Sequence, residues 1–353
     1  MIQKLLPFHK LGITESVLIP SQQRIKTATG KRCPMTEDKA PYALLNGKEY
    51  SLYPLEKEGW KPIGDSTGNA NAAFVDGGNA CIVKAPAAEL HRVRTAVAIT
   101  RGKRLVKVEK QEGFVLATAE IADGRESYTA RILPEPGKEA SSTLRFGAGE
   151  ITSQTPLTKA AEATRKTMEI AAALQALKHL KGGFLLLDGT LEALTGKEKE
   201  CVTNLALAAA GNGVVHGSVA KTCSILASNG DSLIGAADSV SGGEAGYILV
   251  AERRHREAVA IARLNRSSQH LFRIEAPTHE HLKKLLPELK AQSNDLAFPG
   301  YPYGLIMADR FARVSNNEAD ITRAKIRATA DAGMKKLLKQ EKALDAHGIL
   351  DGM

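Results

Sequence analysis

Apolar residues along this chain are spaced first as in strands and later as in helices. From Ala72 onward, short apolar runs separated by polar or glycine-rich breaks predict strands at Ala73–Asp76, Cys81–Lys84, Val93–Thr100, Leu105–Lys110, Phe114–Ile121 and Ser127–Leu133. The Gly-, Ser- and Thr-rich stretch Gly137–Gln154 reads as a loop or insertion. Thr155-Pro156 then opens a helix, with Thr as N-cap and Pro in the first turn. That helix runs through Leu180 and stops at Gly182-Gly183. The strand Phe184–Asp188 follows, then a helix over about residues 197–210 and a strand at Val214–Val219. Tyr247–Ala251, Ala258–Leu264 and Leu271–Glu275 predict three more strands. Helices are expected at His279–Gln292, kinked or broken at Pro287, at Leu305–Arg313, and as one long basic helix from Glu318 to Leu344.

Antiparallel strands come first and helix–strand alternation follows. That order fits an α/β fold, a ribonuclease H-like mixed sheet flanked by helices. Residues 1–70 show weak periodicity and many Pro, Gly and Lys residues, and read as an N-terminal arm or small subdomain. The sheet domain is expected over 71–345, including C-terminal helices, and residues 346–353 read as a tail.

Composition narrows this picture only a little. The 353 residues can bury a sizeable core, and 25% charged with 43% hydrophobic residues is ordinary for a globular protein. The net charge of +9 suits nucleic acid, an anionic membrane or an acidic partner without choosing among them. At 5%, aromatic residues are too few for a base-stacking sheet. Cys33, Cys81, Cys201 and Cys223 are scattered, so neither a zinc ribbon nor a disulfide framework is expected. No apolar segment reaches the roughly 18–20 residues a spanning helix needs. The apolar start Met1–Pro7 is too short for a signal peptide, and a cytoplasmic location is expected.

Candidate chemistry lies in two apolar runs that both end in Asp-Gly, one at Asp76 and the other at Asp188. A carboxylate leaving the end of a buried strand stands where open α/β sheets place ligands, and the glycine leaves the backbone accessible. A turn-forming Asp is the plainer account of either alone. Two together suggest a divalent-metal site for phosphate chemistry, since hard cations take carboxylate oxygens. Glu169 sits amid Met168, Ile170 and Ala171–Leu174 on the preceding helix, and either joins that site or pairs with Arg165 at i−4. Asp309, embedded in Leu305–Ala312, needs a partner: Arg313 at i+4, a metal, or a catalytic neighbour. Lys221 follows the Val214–Val219 strand and could meet a phosphate. Tyr301, in the turn Gly300–Gly304, could orient a water or phosphate, or simply pack.

Taken in order, Phe74–Gly78, Glu169, Phe184–Leu191, Val215–Lys221, Leu271–Glu275 and Gly300–Arg310 resemble the NurA nucleases of DNA end processing. The resemblance implies a ribonuclease H-like fold and Mn²⁺- or Mg²⁺-dependent DNA cleavage, with two ions on Asp76, Glu169 and Asp188. It implies Tyr301 and Asp309 at a C-terminal motif, where some members carry His at the position of Asp309. It further implies a homodimer acting with a HerA-type hexameric translocase, as a 5′–3′ exonuclease with single-strand endonuclease activity. Two other readings remain. One is an actin-like or sugar-kinase-like ATPase, although no second half or adenosine motif stands out. The other is a nucleic-acid-binding scaffold without catalysis.

Overall fold

The computed structural model describes residues 40–45, 50–122, 124–136, 139–147, 149–253 and 257–344. Most of the expected arm at 1–70, and the whole tail at 346–353, therefore lie outside the described residues. Eleven strands there form one sheet: β1 (Ser51–Leu52), β2 (Asn71–Ala85), β3 (Ala88–Arg101), β4 (Arg104–Ala122), β5 (Arg125–Leu133), β6 (Ser142–Phe146), β7 (Phe184–Asp188), β8 (Val215–Ala220), β9 (Gly246–Arg253), β10 (Glu257–Arg263) and β11 (Phe272–Ala276). Their spatial order is β1-β9-β10-β11-β8-β7-β2-β3-β4-β5-β6. Helices are α1 (Pro156–Ala176), α2 (Gly196–Gly211), α3 (Leu233–Ser241), α4 (His279–Gln292), α5 (Tyr303–Ala312), α6 (Asn316–Thr329) and α7 (Ala332–Leu344).

At the centre, β2, β3 and β4 make an antiparallel meander, while β7 and β8 run parallel to β2. Helix α1 connects the meander side to β7, and α2 connects β7 to β8. This topology, β4-β3-β2-β7-β8 with helices between the parallel strands, is the ribonuclease H-like arrangement. The alternation of β2 assigns the two faces. Ala73 and Val75 pack with Leu185 and Leu187 against Ile170 and Ala173 of α1 and Leu205 of α2. Ala72 and Phe74 pack with Leu186 on the other face, against Leu282, Leu285 and Leu289 of α4 and Leu305 and Ala308 of α5.

Several elements differ from the sequence expectation. The two strands expected at Ala73–Asp76 and Cys81–Lys84 are one strand, β2, and those at Leu105–Lys110 and Phe114–Ile121 are one strand, β4. The glycines taken as breaks are sites of close backbone approach inside continuous ladders. A Cβ on Gly113 would lie 2.9 Å from the Leu133 carbonyl oxygen, and one on Gly78 would press on the backbone of Ala312. Residues 142–146, within the expected loop, form the edge strand β6 beside β5. The helix α3 carries no counterpart in the sequence reading. Pro287 does not break α4, because the leucines on either side of it, Leu286 and Leu289, are locked into the core. The long basic helix divides at Ala330 into α6 and α7, with Asp331 capping the second through the Met334 amide at 2.7 Å.

Candidate active site

The register decides which carboxylates meet. Val75 of β2 is paired with Leu187 of β7, so Asp76 and Asp188 stand side by side at the point where β7 ends. By alternation both share the face of Phe74 and Leu186, beneath α5. Helix α5 can lie close because Gly304 rests on the Phe74 ring, where any Cβ would overlap it. That contact brings Asp309 down onto the pair, and oxygens of Asp76, Asp188 and Asp309 lie within 4.8 Å of one another.

Glu169 arrives from the opposite face. It is buried on α1, and its carboxylate fills the space that a side chain at residue 77 would occupy. The two Asp-Gly glycines therefore do different jobs. Gly77 yields room for Glu169 at the edge of Asp76, whereas Gly189 adopts φ 96°, a left-handed conformation that turns the chain after β7. Arg165 pairs with Glu169 and also donates to the Gly77 carbonyl at 2.6 Å, tying α1 to β2 at this spot. The i−4 partner and the approach to the cluster are both real, so neither account of Glu169 displaces the other.

Lys221, just past β8, reaches between two carboxylates. Its Nζ lies 2.6 Å from Asp188 Oδ2 and 2.6 Å from Asp309 Oδ1. The i+4 partner of Asp309 is also present, with Arg313 Nη2 at 2.9 Å from Oδ2. Tyr301 is fully buried against Phe272 and Phe298, and its hydroxyl donates to Asp188 Oδ1 at 3.0 Å. The Lys221 ammonium lies 5.3 Å from the same ring. Five of the six residues singled out in the sequence thus gather on the α5 face, while Glu169 stands on the α1 face against Gly77, outside the group of three aspartates whose oxygens converge.

The charge state of this cluster follows from its burial. Burial first, and then repulsion from Asp188 and Glu169, push the Asp76 carboxyl up to about 8. Burial likewise raises Glu169 to about 7, against the opposing pull of Arg165 and Lys166. Burial alone would lower Lys221, but Asp188 and Asp309 more than offset it and keep the ammonium charged. Burial also works to raise Asp309, yet Lys221 and Arg313 hold its carboxyl below the usual range. Tyr301 is raised by burial and the neighbouring carboxylates, so it stays a donor.

One contributor escaped the sequence reading. Glu275 of β11 is wholly buried and accepts the Leu191 amide at 2.6 Å, anchoring the loop that leaves Asp188. An acidic residue two positions from Arg273 in the short strand Phe272–Ala276 was the available signal, and the two pair at 2.6 Å.

The convergent oxygens of Asp76, Asp188 and Asp309 make an all-oxygen donor set suited to a hard divalent cation, with Lys221 and Arg313 beside them. No protein-family model matches the chain, and no curated protein matches it. Among solved structures, the chain is similar to the NurA nuclease from Sulfolobus solfataricus, with 13% identity, 77% of this chain and 89% of that chain covered, and a TM-score of 0.48. It is also similar to endonuclease V of Ciona intestinalis bound to inosine-containing DNA, with 11% identity, 72% and 91% coverage, and a TM-score of 0.39. A third is Argonaute of A. aeolicus, with 11% identity, 70% of this chain and 29% of that chain covered, and a TM-score of 0.35. The family read in the sequence is thus represented among these structures. No helix among the described residues is long and apolar enough to cross a membrane.

Proposed function

We propose that this chain is a metal-dependent DNA nuclease, with Asp76, Glu169 and Asp188 holding two Mn²⁺ or Mg²⁺ ions and Asp309 completing the oxygen donors. The observation that carries this reading is the convergence of Asp76, Asp188 and Asp309 oxygens within 4.8 Å, with Glu169 packed against the neighbouring Gly77. Burial first, and repulsion from neighbouring carboxylates second, raises the Asp76 carboxyl, and a divalent cation beside it would favour its charged form. When bound, such ions supply Lewis-acid polarisation of a phosphoryl oxygen and a more acidic water.

The chain's own residues do the rest. Tyr301 holds Asp188 in one orientation through its 3.0 Å hydrogen bond. Lys221 and the exposed Arg313 keep positive charge beside the carboxylates, where a backbone phosphate would be met. Net positive charge favours DNA as the polyanion. The further assignments rest on the NurA resemblance: 5′–3′ exonuclease with single-strand endonuclease activity, a homodimer, and a HerA-type hexameric translocase as partner.

The test is cleavage of end-labelled linear DNA, single- and double-stranded, with Mn²⁺, Mg²⁺ or EDTA. Degradation is expected with metal, none in EDTA, and none for Asp76→Ala with an unchanged circular dichroism spectrum. A silent wild type is retested with a HerA-type translocase. Cleavage that persists in Asp76→Ala overturns the site. Salt-sensitive DNA binding without cleavage in either format overturns the enzyme and leaves the scaffold.

A further inference from the structure

A second group of metal-ligating side chains lies on the same hairpin, away from the acidic cluster. Cys81 of β2 is paired directly across the ladder with His91 of β3, and Glu89 precedes His91 by two residues on the same face. The sulfur, a carboxylate oxygen and a ring nitrogen of these three all lie within 4.8 Å of one another. Glu89 is 4% exposed and His91 1% exposed, while Cys81 is only partly buried and leaves a way in. Cys81 is five residues from Asp76 along β2, about 16 Å at strand rise.

We propose that Cys81, Glu89 and His91 bind one Zn²⁺ ion. The donor set is mixed thiolate, imidazole and carboxylate, which suits a borderline-soft cation, unlike the all-oxygen aspartate cluster. His91 Nε2 and Glu89 Oε2 are 2.9 Å apart, close to the roughly 3.3 Å edge of a tetrahedron with bonds near 2.0 Å. A thiolate, a carboxylate and a neutral imidazole around a dication sum to zero charge, so the buried site carries no net charge cost. The Cys81 thiol gives up its proton to solvent as the ion binds.

Neighbouring groups already hold the ligands in place. Thr158 of α1 donates to Glu89 Oε2 at 2.8 Å, and the Asn79 side-chain amide lies 3.2 Å from His91 Nδ1. Ligation at Nε2 puts the ring proton on Nδ1, where Asn79 accepts it through Oδ1 once its amide is turned over. The ladder shifts register between Cys81 and Val83, a local irregularity of the kind that re-aims side chains. A nucleophilic Cys–His pairing fits less well. Both ring nitrogens of His91 are engaged by Asn79 and Glu89, and the thiol points at the Val83 carbonyl 3.6 Å away. The ion would cross-link β2 and β3 at this end of the hairpin, and Thr158 of α1 would hold one of its ligands, Glu89.

The experiment uses the full chain with Asp76→Asn and Asp188→Asn, so that the acidic cluster is silenced. Titration with Co²⁺ should give one equivalent bound and a near-ultraviolet thiolate-to-cobalt charge-transfer band. Equimolar Zn²⁺ should displace the band, and excess Mg²⁺ should not. Cys81→Ser should abolish it with the melting curve otherwise cooperative. Thr158→Val, which keeps all three ligands, should weaken Zn²⁺ binding about tenfold. Absence of the band, or its survival in Cys81→Ser, overturns the site.

Discussion

Replacing Asp76 by Asn separates what the acidic cluster costs the fold from what it does. In the folded chain this carboxyl titrates at about 8, against 3.8 for a solvated aspartate. Each unit corresponds to about 1.4 kcal/mol, so roughly four units set a ceiling of about 6 kcal/mol. Between those two values the folded state keeps a proton that the unfolded state has lost. Stability is therefore fully present below pH 3.8 and falls as pH rises through about 8. Asn keeps the oxygen that accepts the Gly77 amide at 2.7 Å, keeps the shape, and carries no charge. Part of the ceiling is desolvation that an amide also incurs, and Lys221 loses an attractive neighbour. The expected gain in EDTA at pH 8 is about 2–4 kcal/mol, a rise in Tm of about 3–5 °C. At pH 5 only the first third of the window has been crossed, so the gain should fall to roughly a third. Thermal melts by circular dichroism at both pH values measure it. A substituted chain that melts at or below wild type at pH 8, or gains equally at both pH values, refutes the electrostatic account.

Two further outcomes follow from the packing. Tyr301→Phe deletes one hydroxyl and leaves the ring on Phe272 and Phe298, so the melt should change by about 1 kcal/mol or less. Asp188 is then free to turn, and metal-dependent cleavage should drop about tenfold or more; unchanged cleavage would remove Tyr301 from the site. Gly304→Ala places a methyl group inside the Phe74 ring and must lift α5 from β2. Destabilisation of about 2–3 kcal/mol is expected in chemical denaturation, together with lost cleavage as Asp309 withdraws; a neutral result would show that α5 seats elsewhere.

Much of this fold was legible because the local signals were strong. The run Phe184–Asp188 is short, apolar and closed by a glycine, and the helix before it opens on Pro156 and is followed by Gly182-Gly183, so β7 and α1 could be read directly, although the Thr155 side chain makes no capping hydrogen bond. Asp76 and Asp188 stood out for the same reason, as carboxylates at the ends of buried runs. Periodicity, however, assigns a residue to a face and says nothing of which distant strand lies beside it. It could not show that β2 and β4 run unbroken past their glycines, since only the backbone packed against those positions reveals why they lack side chains.

The same limit governs the site. Sequence alone determined the residue types, their order and the faces they occupy. Only the parallel register of β2 with β7 decided that Asp76 adjoins Asp188, and only the Gly304–Phe74 contact brought Asp309 onto them. Sequence could offer Glu169 both an arginine partner and a place in the cluster. The tertiary structure gave it the arginine partner and set its carboxylate against Gly77, next to Asp76 in the chain. Lys221 could be singled out as a strand-end cation, but only setting β8 beside β7 made it the cation between two carboxylates. Electrostatic meaning depends on distances of a few ångströms, and between residues more than a hundred positions apart those distances are fixed by packing alone.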